Sequence, residues 1–536
     1  MKRAVSLFLA AALAGALLAG CSRNGASSST EEKGEAPADL TEIVLSDSGI
    51  TVDGQPVSTD ETAAVYTARD IVYYEDGQDF TYGAGTESDA HSQEEANAHT
   101  VVYITKPGTY SLSGTLSAGQ VAVDLGEDAE TDPDAVVTLI LNGVDITCTV
   151  APAIIFYRVY ECGSDDAETA SETVDATAAG ANVIIADGTE NSVTGSYVAK
   201  IYKPETVTLN DDGTAVEEAK KLHKYDGALY SKMSMNVDGG ALDTGVLNIT
   251  AENEGLDSEL HLTINGGNIN ILAGNDGINT NEDGVSVTTI NGGTLNVQVT
   301  GETGEGDGID SNGWIVINGG TVISSACSNS ADSGLDSDNG IYINGGTVVA
   351  GGNMYDAVDG GDQTYAVFQF AQRQSGGQTY TLKNGAGETV LEMTPANDFQ
   401  YLVVSSPDLA EGDYTLWQGD TQLGGSTGSV GGPGGGMGRP DGAQPPQDGE
   451  TPPELPDGET PAQGNAPDGQ NDRPDNTPGE KPEGQPGENG GSDGQRPAGG
   501  PNGGMGGDDG ANVAERSAVF AIQSGSNQFV NVGAVE

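Results

Sequence analysis

The chain has 536 residues, with 20 basic against 81 acidic side chains and a formal charge of −61. That length allows two or three domains. The charge argues against nucleic acid and anionic lipid head groups as partners, and favours cations and neutral or metal-bridged ligands.

Residues 1–20 read as a targeting segment. Lys2 and Arg3 precede an apolar run of Ala, Leu and Gly that ends in Leu18-Ala19-Gly20-Cys21. This looks like a bacterial lipoprotein signal, with Cys21 becoming the lipidated first residue. A transmembrane anchor is the competing reading, but the run is too short and too rich in Ala and Gly. Residues 21–39 form a flexible Ser/Asn/Gly/Glu tether. The expectation is an extracellular, surface-held protein that meets the membrane through its lipid anchor alone.

From Leu40 to Gly195 short strands alternate with turns, as in Val101–Val123, Val136–Thr147 and Val183–Thr194. They read as irregular early coils, interrupted by loops at Glu161–Gly180 and Lys203–Tyr225. A repeat then governs Gly255–Gly361. Ile-Asn-Gly-Gly recurs at Ile264, Ile290, Ile317 and Ile343, spaced by 26, 27 and 26 residues. Each copy begins with a Gly-Leu/Ile-Asp/Asn-Ser/Thr step, at Gly255, Gly277, Gly308 and Gly334. An Asn-Gly turn between alternating runs ordinarily signals a hairpin, but hairpins give no reason for a constant period. Coils of a parallel β-helix do, since equivalent residues then stack about 4.8 Å apart.

Columns can therefore be written down. Asn265, Asn291, Asn318 and Asn344 form an amide ladder; Ile269, Leu295, Val322 and Val348 form an inward stack; Asn268, Thr294, Thr321 and Thr347 run between them. A Gly-rich β-sandwich is the plainer alternative. Leucine-rich repeats lack their Leu pattern here, and the nine-residue calcium β-roll has the wrong period. The fold class is all-β. A right-handed parallel β-helix is expected over residues 40–362, followed by a small antiparallel β module at 363–424. Residues 425–512 are Gly, Pro, Asp, Gln and Glu with almost no aliphatics, and read as a disordered insertion. Strand patterning returns over 513–536.

Together, the export signal, the Gly-Ile-Asp-Ser steps and the Ile-Asn-Gly-Gly turns resemble a family of bacterial cell-surface carbohydrate-binding proteins. The resemblance spans roughly residues 100–362 and reaches Ser405-Ser406-Pro407. It implies a pectate-lyase-like shape, bound calcium, and binding of cellulose or pectic acid without demonstrated turnover. The partner is then a polysaccharide, bound by a monomer. The insertions at 161–180, 203–225 and 425–512 depart from the family pattern.

Two other classes stay open: a calcium-dependent polysaccharide lyase and a purely structural or adhesive surface protein. A lyase needs a Lys or Arg base. None occurs between Met233 and Gln372, which leaves Lys220, Lys221, Lys224, Lys232 and Arg373 as the nearest. Glycan binding calls for exposed aromatics, and Trp314 and Tyr342 occupy outward positions beside the turn motif. Cys148 and Cys162 flank one apolar strand and are candidates for a disulfide, with buried free thiols as the alternative.

A metal is the last expectation. Between residues 233 and 372 there are 19 Asp and Glu. Stacking would bring Glu254, Asp257, Asp276, Asn279, Asp307 and Asp310 into two columns, with Asp336, Asp356 and Asp359 further along. Ca²⁺, which takes six to eight oxygens, suits such an edge. The leading ligands are Asp257, Asp276, Asp307, Asp310 and Asp336; the plainer reading is a solvated acidic edge.

Overall fold

The computed structural model describes residues 40–430 and 516–535. The targeting segment, Cys21, the 21–39 tether and residues 431–512 of the low-complexity tract lie outside them.

Alternation of apolar and polar residues makes each repeat a set of short strands, and identical repeat lengths let those strands pair in register. One column comprises Ala181–Ile185, Met235–Gly239, Leu262–Ile264, Val287–Ile290, Trp314–Ile317 and Gly340–Ile343, every neighbour parallel. A second comprises Glu190–Gly195, Val246–Ala251, Asn268–Ala273, Thr294–Val299, Thr321–Ser325 and Thr347–Gly352, also parallel. The third runs from Thr100–Ile104 through Gly119–Asp124, Ile154–Arg158, Gly227–Ser231 and Glu254–Ser258 to Ile278–Thr280. Asp310–Ser311 and Asp336–Ser337 continue its line.

Parallel strands buried on one face need an unbroken apolar stack behind them. Leu229, Leu256 and Ile278 provide it in one column; Ile264, Ile290, Ile317 and Ile343 do so in another. Ile269, Leu295, Val322 and Val348 pair in register at 0–1 % exposure. Each such side chain contributes about 1.5–3 kcal/mol by leaving water. The second glycine of each turn is required twice over. Gly293, Gly320 and Gly346 have φ of +79°, +78° and +83°, and a Cβ there would lie 2.6–2.8 Å from the preceding repeat's backbone.

Antiparallel strands finish both ends, so the sheets are mixed. Thr51–Val52 folds back on Leu40–Ser46, and Val65–Ala68 on Thr100–Ile104. At the far end Phe399–Ser405 lies antiparallel to Thr347–Gly352. It belongs to a separate aromatic core containing Phe368, Phe370, Tyr380, Phe399, Phe520 and Phe529. Ser526–Ala534 pairs with Thr421–Thr427 and with Tyr365–Gln374, which joins the segments on either side of residues 431–515.

The described chain is nearly all β. Its one α-helix, Gln93–Ala98, starts at a capping box in which Ser92 and Glu95 bond reciprocally. No described helix is long and apolar enough to cross a membrane. Two expectations need correction. The Lys203–Tyr225 stretch is not an open loop: Lys221–Tyr225 pairs with Val198–Tyr202, and Thr208–Leu209 with Val216–Glu218. Cys148 and Cys162 form no disulfide; both are free, as is Cys327. The extended strand Ile154–Arg158 lies between the first two along the chain.

Candidate metal centre and ligand-binding cleft

The Gly-Leu-Asp-Ser step of Glu254–Ser258 is a strand whose following neighbour repeats it as Gly-Ile-Asn-Thr, so its polar side chains are stacked by backbone pairing. Asp257 pairs with Asn279 in the next repeat, and Asp310 with Asp336. Glu254 precedes the glycine of its own step, and Asp226 precedes Gly227 on the strand before. The result is a buried cluster. Oxygens of Asp226, Glu254 and Asp257 lie within 4.8 Å of one another. Their exposures are 6 %, 5 % and 0 %.

Neutralising contacts around this cluster are few. Lys224 Nζ sits 3.0 Å from Asp226 Oδ2. Asn279 donates to Glu254 Oε1 at 3.2 Å, and Asn281 to Asp257 Oδ1 at 2.7 Å. Three oxygens remain buried with no hydrogen-bond partner: Glu254 Oε2, Asp257 Oδ2 and Asn279 Oδ1. Burial pushes the Glu254 carboxyl well above its ordinary range, and the charges of Asp257 and Asp226 push it further. Asp257 is raised in the same way, by burial first and then by Asp226 and Glu259. At an effective dielectric of ~20, two such charges repel by about 3 kcal/mol. The group must take up protons or a cation. All the donors are oxygens, which suits a hard divalent ion rather than zinc.

Asp276, Asp307, Asp310 and Asp336 continue the same edge. Asp276 Oδ1 accepts from Asp307 N at 2.7 Å, and Asp307 Oδ1 from Ser333 N at 2.5 Å. Burial again dominates the upward shift of both carboxyls. Asp356 and Asp359 are turned differently, accepting from Ser337 N and Ile341 N of the preceding repeat. The sequence reading paired Glu254 with Asp257 but missed Asp226. Asp226 stands one position out of step with the repeated acids, because Gly227 pairs with Glu254, so counting columns from the repeat passes over it.

Trp314 and Tyr342 sit on another column of strands from these acids. Trp314 pairs with Gly340, and Val316 with Tyr342, so the rings are offset by two positions on adjacent strands. Both are half-buried. The Tyr342 ring lies over Gly340 and Gly360, where a Cβ would come within 3.3 Å of it. The pair presents a small aromatic face, made possible by those glycines.

Beside the acid cluster, Tyr230 pairs in register with Asp257 and forms part of the wall of a cleft of about 310 Å³. Lys203, Lys221, Lys224 and Lys232 also line it. Glu259 accepts from the Tyr230 hydroxyl and from Lys221 Nζ at 3.2 Å. Of the candidate bases named from the sequence, Lys221, Lys224 and Lys232 therefore converge on one place, while Lys220 and Arg373 are not part of its lining.

With this geometry in hand, comparison with known proteins places the chain. A family model described as carbohydrate-binding domain-containing protein matches residues 98–367. The chain belongs to this family. A carbohydrate-binding domain-containing protein of Acetivibrio thermocellus is 28 % identical over 173 residues, which is 32 % of this chain and 45 % of the relative. The match thus spans less than half of that relative's length. Among solved structures, the gadolinium derivative of the polysaccharide lyase-like protein from C. thermocellum is 20 % identical. The similarity covers 57 % of this chain and 92 % of that one, with a TM-score of 0.31. The matched segment contains the acid cluster, the lysine cleft and the Trp314/Tyr342 pair.

Proposed function

We propose that this protein is an exported, lipid-anchored binder of polysaccharide at the cell surface, without catalysis. In this reading its parallel columns close into a right-handed β-helix stiffened by calcium. Membership of the carbohydrate-binding family supports glycan as the ligand. The observation that carries the calcium assignment is the trio of unpartnered oxygens on Glu254, Asp257 and Asn279, buried beside Asp226. Calcium would be held by Asp226, Glu254, Asp257 and Asn279, with Asp276, Asp307, Asp310 and Asp336 extending the edge. It would offset the carboxylate repulsion and lock adjacent repeats together. Trp314 and Tyr342 would supply ring stacking on a pyranose.

Affinity electrophoresis of the mature protein against cellulose, pectate, xylan and mucin glycans tests this, run with calcium and with chelator. Retardation by at least one polymer is expected; indifference to all of them overturns the reading. A lyase reading is favoured by one observation, the placement of Lys221 and Lys232 on a cleft beside the acid cluster. Unsaturated products in the same samples would decide for it.

A further inference from the structure

The described residues include twelve Lys and Arg, and six of them fall between Lys200 and Lys232. A chain of −61 has no need of such a cluster for solubility, and the next 140 residues contain no basic side chain. The concentration is local, and it faces a cavity. Lys203 follows the strand Val198–Tyr202, Lys221 opens Lys221–Tyr225, and Lys232 follows Gly227–Ser231. Three separate elements thus bring one ammonium each to the cleft of about 310 Å³. Lys203 and Lys221 both lie in the Lys203–Tyr225 stretch, which folds back as the strand Lys221–Tyr225 on Val198–Tyr202.

Four lysines and three acids, Asp165, Glu259 and Glu282, line the cleft. Lys224 is engaged by Asp226, and Lys221 by Glu259. Lys203 and Lys232 make no ion pair among the described residues. Glu282 and Asp165 also line the space. Burial, with Glu259 and Asp165 nearby, raises the Glu282 carboxyl, which weakens its opposition to an incoming anion. Tyr225 and Tyr230 pack edge-to-face with centroids 5.3 Å apart behind the cleft, at 4 % and 0 % exposure, and the 44 %-exposed Leu222 stands at the rim. That combination of several lysines and a small apolar rim fits a charged sugar. The cleft contains no arginine, whose planar fork is the usual partner of a carboxylate. Lysines act as point charges, and three of them on one cleft suit a group with three terminal oxygens.

We propose that this cleft binds a sugar carrying a tetrahedral oxyanion, a sulfate or phosphate ester, through Lys203, Lys221 and Lys232. The proposal rests on the carbohydrate reading above but concerns a different surface from Trp314 and Tyr342. The test is affinity electrophoresis of the full mature chain, in calcium, against a sulfated galactan, the same polymer desulfated, a phosphorylated mannan and polygalacturonate. Retardation by the sulfated or the phosphorylated polymer, but not by the desulfated one, is expected, and the two arms tell the esters apart. The double variant Lys203→Ala/Lys232→Ala should weaken that binding about tenfold or more, since two charge-assisted contacts are lost. Neither side chain is in the core, and an unchanged melting temperature checks the fold. Equal retardation by polygalacturonate, or undiminished binding by the double variant, overturns the cleft assignment while leaving glycan binding intact. Failure to bind any of these polymers, or cellulose, xylan and mucin glycans, removes the broader reading and this one with it.

Discussion

Asn318 donates its Nδ2 to Oδ1 of Asn291, one repeat back, across 2.9 Å. The same bond joins Asn291 to Asn265 at 2.9 Å and Asn344 to Asn318 at 2.8 Å. All the amides point the same way, so each bond polarises the next. The column ends on Asp238, whose carboxyl is raised by burial and partly restored by a hydrogen bond from Asn265. Asn318→Ala removes a donor and an acceptor at once, at an exposed site where water replaces part of the loss. A destabilisation of about 1 kcal/mol is expected from urea unfolding. No change in midpoint would show that the ladder is ornamental.

Gly320→Ala should be costlier. The new Cβ would meet backbone of Gly292 and Gly293 at 2.8–2.9 Å while φ stays at +78°. The left-handed conformation alone costs about 1–2 kcal/mol, and the contact adds to it. A fall in melting temperature larger than that of Asn318→Ala is the expected ordering.

Calcium at the acid cluster makes stability depend on ligand. At about a hundred times its Kd the ion would add about 2.7 kcal/mol. Chelator should therefore lower the melting temperature by several degrees, and Asp257→Asn should shrink that difference. Asp310→Ala should do so as well if the ions continue along the edge. Melting curves that ignore both calcium and chelator would leave the acids as a protonated cluster.

The pH dependence distinguishes those two states. Glu254 and Asp257 have folded-state carboxyls raised above the ordinary value, by burial first. The native chain then binds more protons than the unfolded chain, so stability falls as pH rises from about 4 towards the raised values. Chelated protein should melt progressively lower as pH rises above about 4. Calcium should flatten that slope; an identical slope with and without the ion would count against binding at these residues.

Thiol chemistry gives a further check. Burial pushes the Cys148 thiol up to about 12, and Cys162 to about 11. Native protein should resist alkylation at Cys148, and reductant should leave the melting temperature unchanged. A drop of several degrees under reductant would mean that a disulfide forms after all.

The parallel register was readable because strand alternation has period 2 and the turn motif fixes where counting starts. Ile264, Ile290, Ile317 and Ile343 pair as their numbering implies. The preceding coil, which opens at Gly227, spells Val237-Asp238-Gly239-Gly240 in place of Ile-Asn-Gly-Gly. Those two exchanges hid the motif in that coil, and the offset of Gly227 onto Glu254 hid the place of Asp226. The lysine cleft was beyond sequence reading for another reason. Lys203, Lys221 and Lys232 meet only because two inserted hairpins fold back over the strands, and no periodicity describes an insertion. The disulfide expectation failed because proximity along the chain says little when a straight strand separates the two thiols.

Parallel rungs template one another, and nothing within the repeat tells the pile to end. Thr347–Gly352 would offer a free row of amides and carbonyls to any matching edge. Phe399–Ser405 occupies that row in the opposite direction, and an antiparallel partner cannot be mistaken for one more repeat. The aromatic module behind it thus acts as a terminator of growth. A chain cut after Gly361 would present one sticky end while the other stays covered by Thr51–Val52 and Val65–Ala68, so copies would join end to end as closed pairs rather than as a filament.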